Sequence, residues 1–204
     1  KRAAEAGRAF DQGIMAIDYY FGNNVVQDPD EATKWARLAA TQGDANGQWI
    51  LGECYLLGCA VTKDRAIACD WLRKAADQGH IRAQARLAAV YFAGDEQHEN
   101  RDFTEAGRWA SLAADGGNAM AQTILGHMFL YGEGVEPDAR VAAEWFRLAA
   151  GQGDVQAQYR LGRMTAEGIG VKKDWIVALK LLKQAADEGV EAAVGALRSY
   201  GVEY

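Results

Sequence analysis

Apolar and small residues return along the chain in a fixed phase. The pattern Ala-Ala-x-x-Gly falls at Ala39, Ala40, Gly43, then at Ala75, Ala76, Gly79, at Ala113, Ala114, Gly117, at Ala149, Ala150, Gly153 and at Ala185, Ala186, Gly189. The steps are 36, 38, 36 and 36 residues, and one step back from the first copy lie Ala3, Ala4 and Gly7. Large apolar residues precede the alanine pairs at Trp35, Trp71, Trp109, Trp145 and Leu181. An aromatic follows the glycines at Tyr19, Tyr55, Tyr91 and Phe129, with Thr165 as the exception. A period of this length marks an array of supersecondary units, none of which buries its apolar face alone.

Two helices per unit follow from the layout. Over 44–57, Gly47, Leu51, Gly52 and Tyr55 share one face at helical spacing, and Gly58 ends the segment. Asp64 suits the cap of a second helix that buries Ala68, Trp71, Leu72 and Ala75 and stops at Gly79. Asp28, Asp102, Asp138 and Asp174 repeat that start. The predicted fold is all-α: a right-handed α/α superhelical solenoid of about five helix-turn-helix repeats of 36 to 38 residues, at 7–42, 43–78, 79–116, 117–152 and 153–188. We expect one domain over 1–204, with 189–204 as a C-terminal capping segment that includes Tyr200 and Tyr204.

Composition narrows the class. Hydrophobic residues make up 50% and charged residues 25%, enough apolar material for a continuous core. The net charge of -6 argues against general attraction to nucleic acid or anionic lipid. No apolar run approaches the roughly 20 residues that cross a bilayer. The chain does not begin with Met, so it is a processed protein or a piece of a longer one, and an export signal or further repeats upstream both stay open. Cys54, Cys59 and Cys69 are odd in number and match no metal-ligand spacing. One disulfide with a free thiol, or three thiols, are the open readings.

The repeat resembles the Sel1-like family, relatives of the tetratricopeptide repeats with a slightly longer unit. The resemblance covers roughly residues 1 to 190. It is strongest in the fourth unit, with Ala121, Gln122, Leu125, Gly126, Phe129, Gly132, Gly134, Val135, Asp138, Ala142, Trp145, Ala149, Ala150 and Gly153. The fifth follows with Ala157, Gln158, Leu161, Gly162, Gly168, Gly170, Val171, Asp174 and Ala178. The resemblance implies a solenoid whose concave face is lined by the first helix of each unit, adaptor or scaffold work in protein complexes, and, for a bacterial member, export to the periplasm or cell envelope, with the cytoplasm as the alternative. A cysteine-rich branch of the family staples helix pairs with paired cysteines. This chain does not reproduce that arrangement, so that branch's association with penicillin is not carried over.

Positions offset from the core phase should face the groove. In the second unit these are Trp49, Ile50 and Glu53, beside Asn46 and Leu57; in the third, Arg82 and Arg86. In the fourth they are Thr123, His127 and Tyr131, and in the fifth Tyr159, Arg160 and Arg163. The first unit shows Phe10, Ile14, Ile17 and Phe21, which either line the groove or pack within the array. Aromatic and Arg side chains dominate interface energetics, so the expected partner is another protein carrying a hydrophobic segment with neighbouring carboxylates, such as a secreted effector or an envelope enzyme that the chain inhibits in the manner of an immunity protein.

Catalytic material is thin. The histidines are His80, His98 and His127 and the serines Ser111 and Ser199, with no nucleophile elbow and no phosphate-cradling loop. Asp95, Glu96, His98 and Glu99 share the longer turn of the third unit, either as a weak cation set or as solvated charge. The expectation is a non-enzyme with no cofactor and no bound metal. The alternative is a hydrolase or a small-molecule or cell-wall-binding protein resembling the cysteine-rich branch.

Overall fold

Aspartates and glycines set where most of the helices start and stop. The computed structural model describes residues 2–95 and 100–204, so the expected cation set at Glu96, His98 and Glu99 lies outside the described residues. Contacts divide the chain into two compact units, residues 1–87 and 88–204. The first holds α1 (Arg2–Glu5), α2 (Ala9–Phe21), α3 (Pro29–Thr41), α4 (Ala45–Leu57), α5 (Arg65–Asp77) and the start of α6 (Ile81–Ala93). The second holds the end of α6, then α7 (Phe103–Asp115), α8 (Ala119–Tyr131), α9 (Ala139–Gly151), α10 (Val155–Glu167), α11 (Trp175–Asp187) and α12 (Glu191–Ser199). Every regular element among the described residues is helical, as the period requires.

Each expected aspartate caps a second helix. Asp64 accepts from the Ile67 N–H at 2.9 Å and Asp138 from those of Arg140 and Val141 at 2.8 and 3.2 Å. First helices start on Asp44, Asn118 and Asp154 in the same way, and on His80, whose Nδ1 accepts from the Ala83 N–H. These caps satisfy amide donors that a helix start leaves unpaired. At the other end Gly58 takes φ 75, a left-handed turn that glycine adopts without strain.

In the first unit α4 packs against α2, α3 and α5, and alanine and glycine permit close approach. A Cβ on Gly47 would lie 2.4 Å from Ala39 Cβ and 2.7 Å from the Ala40 backbone nitrogen. In the second unit α8 packs on α9 and α10 on α9 and α11. The core cluster there is Ala142, Ala143, Phe146, Ala149, Ala157, Leu161 and Met164. The tryptophans are less uniform than expected. Trp35 and Trp109 are buried, but Trp71 and Trp145 are only half-buried. The Trp71 face carries the Lys74 ammonium 4.0 Å from its centroid, and in the fourth repeat the adjacent Phe146 fills the core instead. All three cysteines are free thiols, Cys54 being buried.

A buried glutamine on the first helix accepts from a glutamine at the end of its own second helix in three repeats. Gln42 donates to Gln12 at 2.6 Å, Gln78 to Gln48 at 2.7 Å and Gln152 to Gln122 at 2.8 Å. The fifth repeat breaks the series. Glu188 stands where the first, second and fourth repeats have Gln42, Gln78 and Gln152 and the third has Gly116, and Gln158 Oε1 is buried without a partner. An ionised carboxylate cannot donate. Glu188→Gln is therefore expected to raise stability by about 1 kcal/mol, read as a higher denaturation midpoint; an unchanged midpoint would show that Gln158 has no use for a donor there.

Candidate interaction surface

The expected site residues all lie on the first helices, α4, α6, α8 and α10, but those helices are packed on more sides than a single apolar face allows. Every residue from Gly47 to Cys54 is buried. Ile50 has 0% exposure, which corrects the expectation that it is displayed: α2, α3 and α5 together enclose that part of α4. Trp49 (5%), Glu53 (7%), Thr123 (9%) and Tyr159 (8%) are also largely covered. Arg82 and Tyr131 are exposed, and Arg86, His127, Arg160 and Arg163 are half-buried.

In the first unit these residues form a layered cluster. Trp49 lies between Phe21, 5.9 Å away, and His80, 5.1 Å away, with the Arg82 guanidinium 5.2 Å from its centroid. Glu53 receives an ion pair from Arg86 at 2.9 Å and a hydrogen bond from the Trp49 indole. Burial pushes the Glu53 carboxyl above its ordinary pKa, and the Arg86 charge opposes that rise. Burial, with the Glu53 charge, pushes the Tyr20 phenol up to about 12. His80 is held neutral by burial and by Arg82. This agrees with its Nδ1 serving as an acceptor while Nε2 lies 3.2 Å from Asn46 Oδ1.

The second unit brings His127, Tyr131, Tyr159, Arg160 and Arg163 together from α8 and α10. The His127 ring contacts Phe92, Tyr131 and Phe146 at 6.1, 5.8 and 5.5 Å. Burial, with the charge of Arg160, lowers its pKa to about 4. Arg160 donates to the Tyr131 hydroxyl at 3.1 Å and lies over the Tyr159 ring at 5.3 Å. Arg163 is paired with Glu167 at 3.0 Å, and the Tyr200 hydroxyl donates to the same carboxylate at 2.8 Å. Those two hydrogen bonds hold Glu167 below the usual carboxylate range. A shallow cleft between α10 and α12 is lined by Tyr159, Arg163, Glu167, Gly195, Ser199 and Tyr200.

Sequence reasoning missed Phe92, Phe146 and His80 as parts of these clusters, and it did not connect Tyr200 with Arg163. The signal for His80 is its place where Asp44, Asn118 and Asp154 cap their helices. The signal for Phe146 is weak, because Trp145 beside it occupies the repeat's usual aromatic position.

The Sel1 repeat family model matches residues 14–44, 45–80, 81–118, 119–154 and 155–190, so four matches begin on the first residues of α4, α6, α8 and α10. The chain is similar to the crystal structure of c5321, a protective antigen of uropathogenic Escherichia coli strains displaying an SLR fold. Identity is 35% and the TM-score 0.80, over 98% of this chain and 43% of that one. It thus spans under half the length of the antigen. A Sel1 repeat protein from Oxalobacter formigenes is 29% identical with a TM-score of 0.81, over 94% of this chain and 75% of that one. The immunity protein Pa5087 from Pseudomonas aeruginosa shares the fold at 19% identity and a TM-score of 0.53, over 95% and 69%. Among curated proteins none matches. With its five tandem matches and helix pairs in register with them, the chain belongs to the Sel1 repeat family.

Proposed function

We propose that the chain is a non-catalytic scaffold that seats a partner polypeptide on the faces of its first helices. The observation that carries this reading is the surface of the second unit. There Tyr131, 57% exposed, and the half-buried Arg160 and Arg163 come from successive first helices and stand around the aromatic body of Tyr159. Aromatic and Arg side chains held rigidly in this way supply contact area and directed hydrogen bonds at low entropic cost. The first unit offers a second such surface through Arg82 on Trp49.

The narrower form of the proposal is a one-to-one inhibitor or immunity-type partner of an envelope enzyme. Solved proteins named as immunity proteins share the fold, and no helix among the described residues is long and apolar enough to cross a membrane. Affinity capture with the immobilised chain, followed by mass spectrometry, identifies the partner. Tyr131→Ala combined with Arg163→Ala is expected to weaken its binding at least tenfold with the fold intact, since each residue is of the type that costs about 1 to 2 kcal/mol or more at an interface. Unchanged affinity would remove this face from the proposal.

A further inference from the structure

The repeats let one ion pair be compared with the place where its equivalent is missing. Arg86 is the sixth residue of α6 and Arg160 the sixth of α10. Each reaches toward the ninth residue of a preceding first helix, Glu53 in α4 and His127 in α8. In the first unit that residue is a carboxylate, and it neutralises Arg86 at 2.9 Å. In the second it is an imidazole, and Arg160 finds only the Tyr131 hydroxyl.

No described carboxylate pairs with Arg160. Glu167, on the same helix, is already held by Arg163 and Tyr200. Arg160 Nε, like Arg86 Nε in the first unit, is buried with no hydrogen-bond partner, and the two differ at the terminal nitrogens, where Arg86 meets Glu53 and Arg160 the Tyr131 hydroxyl. The hydroxyl of Thr123, which precedes His127 by one turn on α8 in a residue only 9% exposed, is buried without a partner as well. A half-buried guanidinium with no carboxylate beside it is costly unless an anion reaches it. The imidazole beside it, neutral at pH 7, cannot supply that charge.

We infer that the space beside Arg160, bounded by His127, Tyr131 and Tyr159, is a subsite for one carboxylate from an Asp or Glu side chain of the partner polypeptide. In the first unit the residue at the His127 position is itself a carboxylate that meets the equivalent arginine, and this gives the chemistry and the single negative charge that suit Arg160. Arg86 needs no such anion because Glu53 already supplies it. This inference rests on the proposed scaffold reading and names the chemistry its partner brings.

The test is an NMR titration of the full chain, at constant ionic strength, with N-acetyl-glutamate methylamide and its neutral glutamine analogue. The Arg160 Nε–H and the His127 ring are the reporters. Saturable shifts with the glutamate probe are expected, with at least tenfold weaker effects from the glutamine analogue. Bound carboxylate should also move the His127 titration upward, which a purely structural Arg160 would not produce. His127→Glu, which restores the arrangement seen at Glu53, is expected to abolish probe binding by filling the subsite internally. Arg160→Gln, read at His127, is expected to abolish it as well, and keeps the test valid if the first variant does not fold. Absence of saturation in the unsubstituted chain, or equal response to the glutamine analogue, would overturn the inference. Either result would leave partner capture, which does not require a carboxylate, as the independent test of the scaffold reading. Binding of N-acetyl-alanine, with its terminal carboxylate, in preference to the glutamate probe would overturn the side-chain assignment.

Discussion

Phe146→Ala is expected to destabilise the second unit by about 4 kcal/mol. The ring is fully buried among Ala142, Ala143, Ala149, Ala157, Leu161 and Met164. The four alanine neighbours carry only a fixed methyl that cannot swing into the space it leaves, so only Leu161 and Met164 can partly fill the cavity. Gly126 gives a second measurement on the same contact. A Cβ there would lie 2.6, 2.7 and 2.9 Å from three carbons of the Phe146 ring. Gly126→Ala alone is therefore expected to cost about 2 kcal/mol through overpacking. In the Phe146→Ala background the clash is gone, and the same change should stabilise by about 1 kcal/mol through helix propensity. Denaturant unfolding of the four proteins in the cycle reads the reversal. If Gly126→Ala has the same sign in both backgrounds, the close approach of α8 to the Phe146 ring is not what keeps glycine at that position.

The period was legible in the sequence because its signals are local. An aspartate caps the helix that begins beside it, and a left-handed glycine stops the helix that ends at it, so Asp64, Gly58 and their equivalents marked boundaries without knowledge of the packing. Ile50 failed for a reason of a different kind. A helical wheel assumes one buried face and one open one, whereas α4 is enclosed by α2, α3 and α5. Its middle is buried all round, and the wheel had no means of showing that.

The candidate site was legible as residues but not as pairings. Arg86, Arg160 and Arg163 occupy equivalent or neighbouring positions in their helices, and nothing local distinguishes them. Their states are set by residues of other elements: Glu53 for Arg86, Tyr131 for Arg160, Glu167 with Tyr200 for Arg163. The contrast between Glu53 and His127 can be read from the repeat register, but only once it is known that the sixth residue of one first helix meets the ninth of the preceding one.

Acidification is expected to weaken the fold through His127 before the carboxylates as a class become protonated. Burial and the Arg160 charge lower its folded pKa to about 4, against 6.5 for the ordinary group. Above pH 6.5 the ring is neutral whether folded or unfolded, and its contribution is fully present. As pH falls, the unfolded chain takes up the proton first, so stability is lost from 6.5 down to about 4. The loss approaches about 3 kcal/mol at the lower end. His80, also depressed, acts in the same direction, since protonation removes the acceptor that Ala83 uses. Glu53 and Asp44 act oppositely: burial raises their pKa, so the folded state gains from their protonation. A comparison with His127→Gln cancels these other contributions. The variant keeps a polar neutral side chain beside Phe146 but cannot titrate. Denaturation midpoints measured at pH 7, 5.5 and 4.5 should fall more steeply for the unsubstituted chain than for the variant. Parallel lines would mean that the imidazole charges freely in the folded protein, and a ring that does so beside Arg160 would already have a compensating anion within reach.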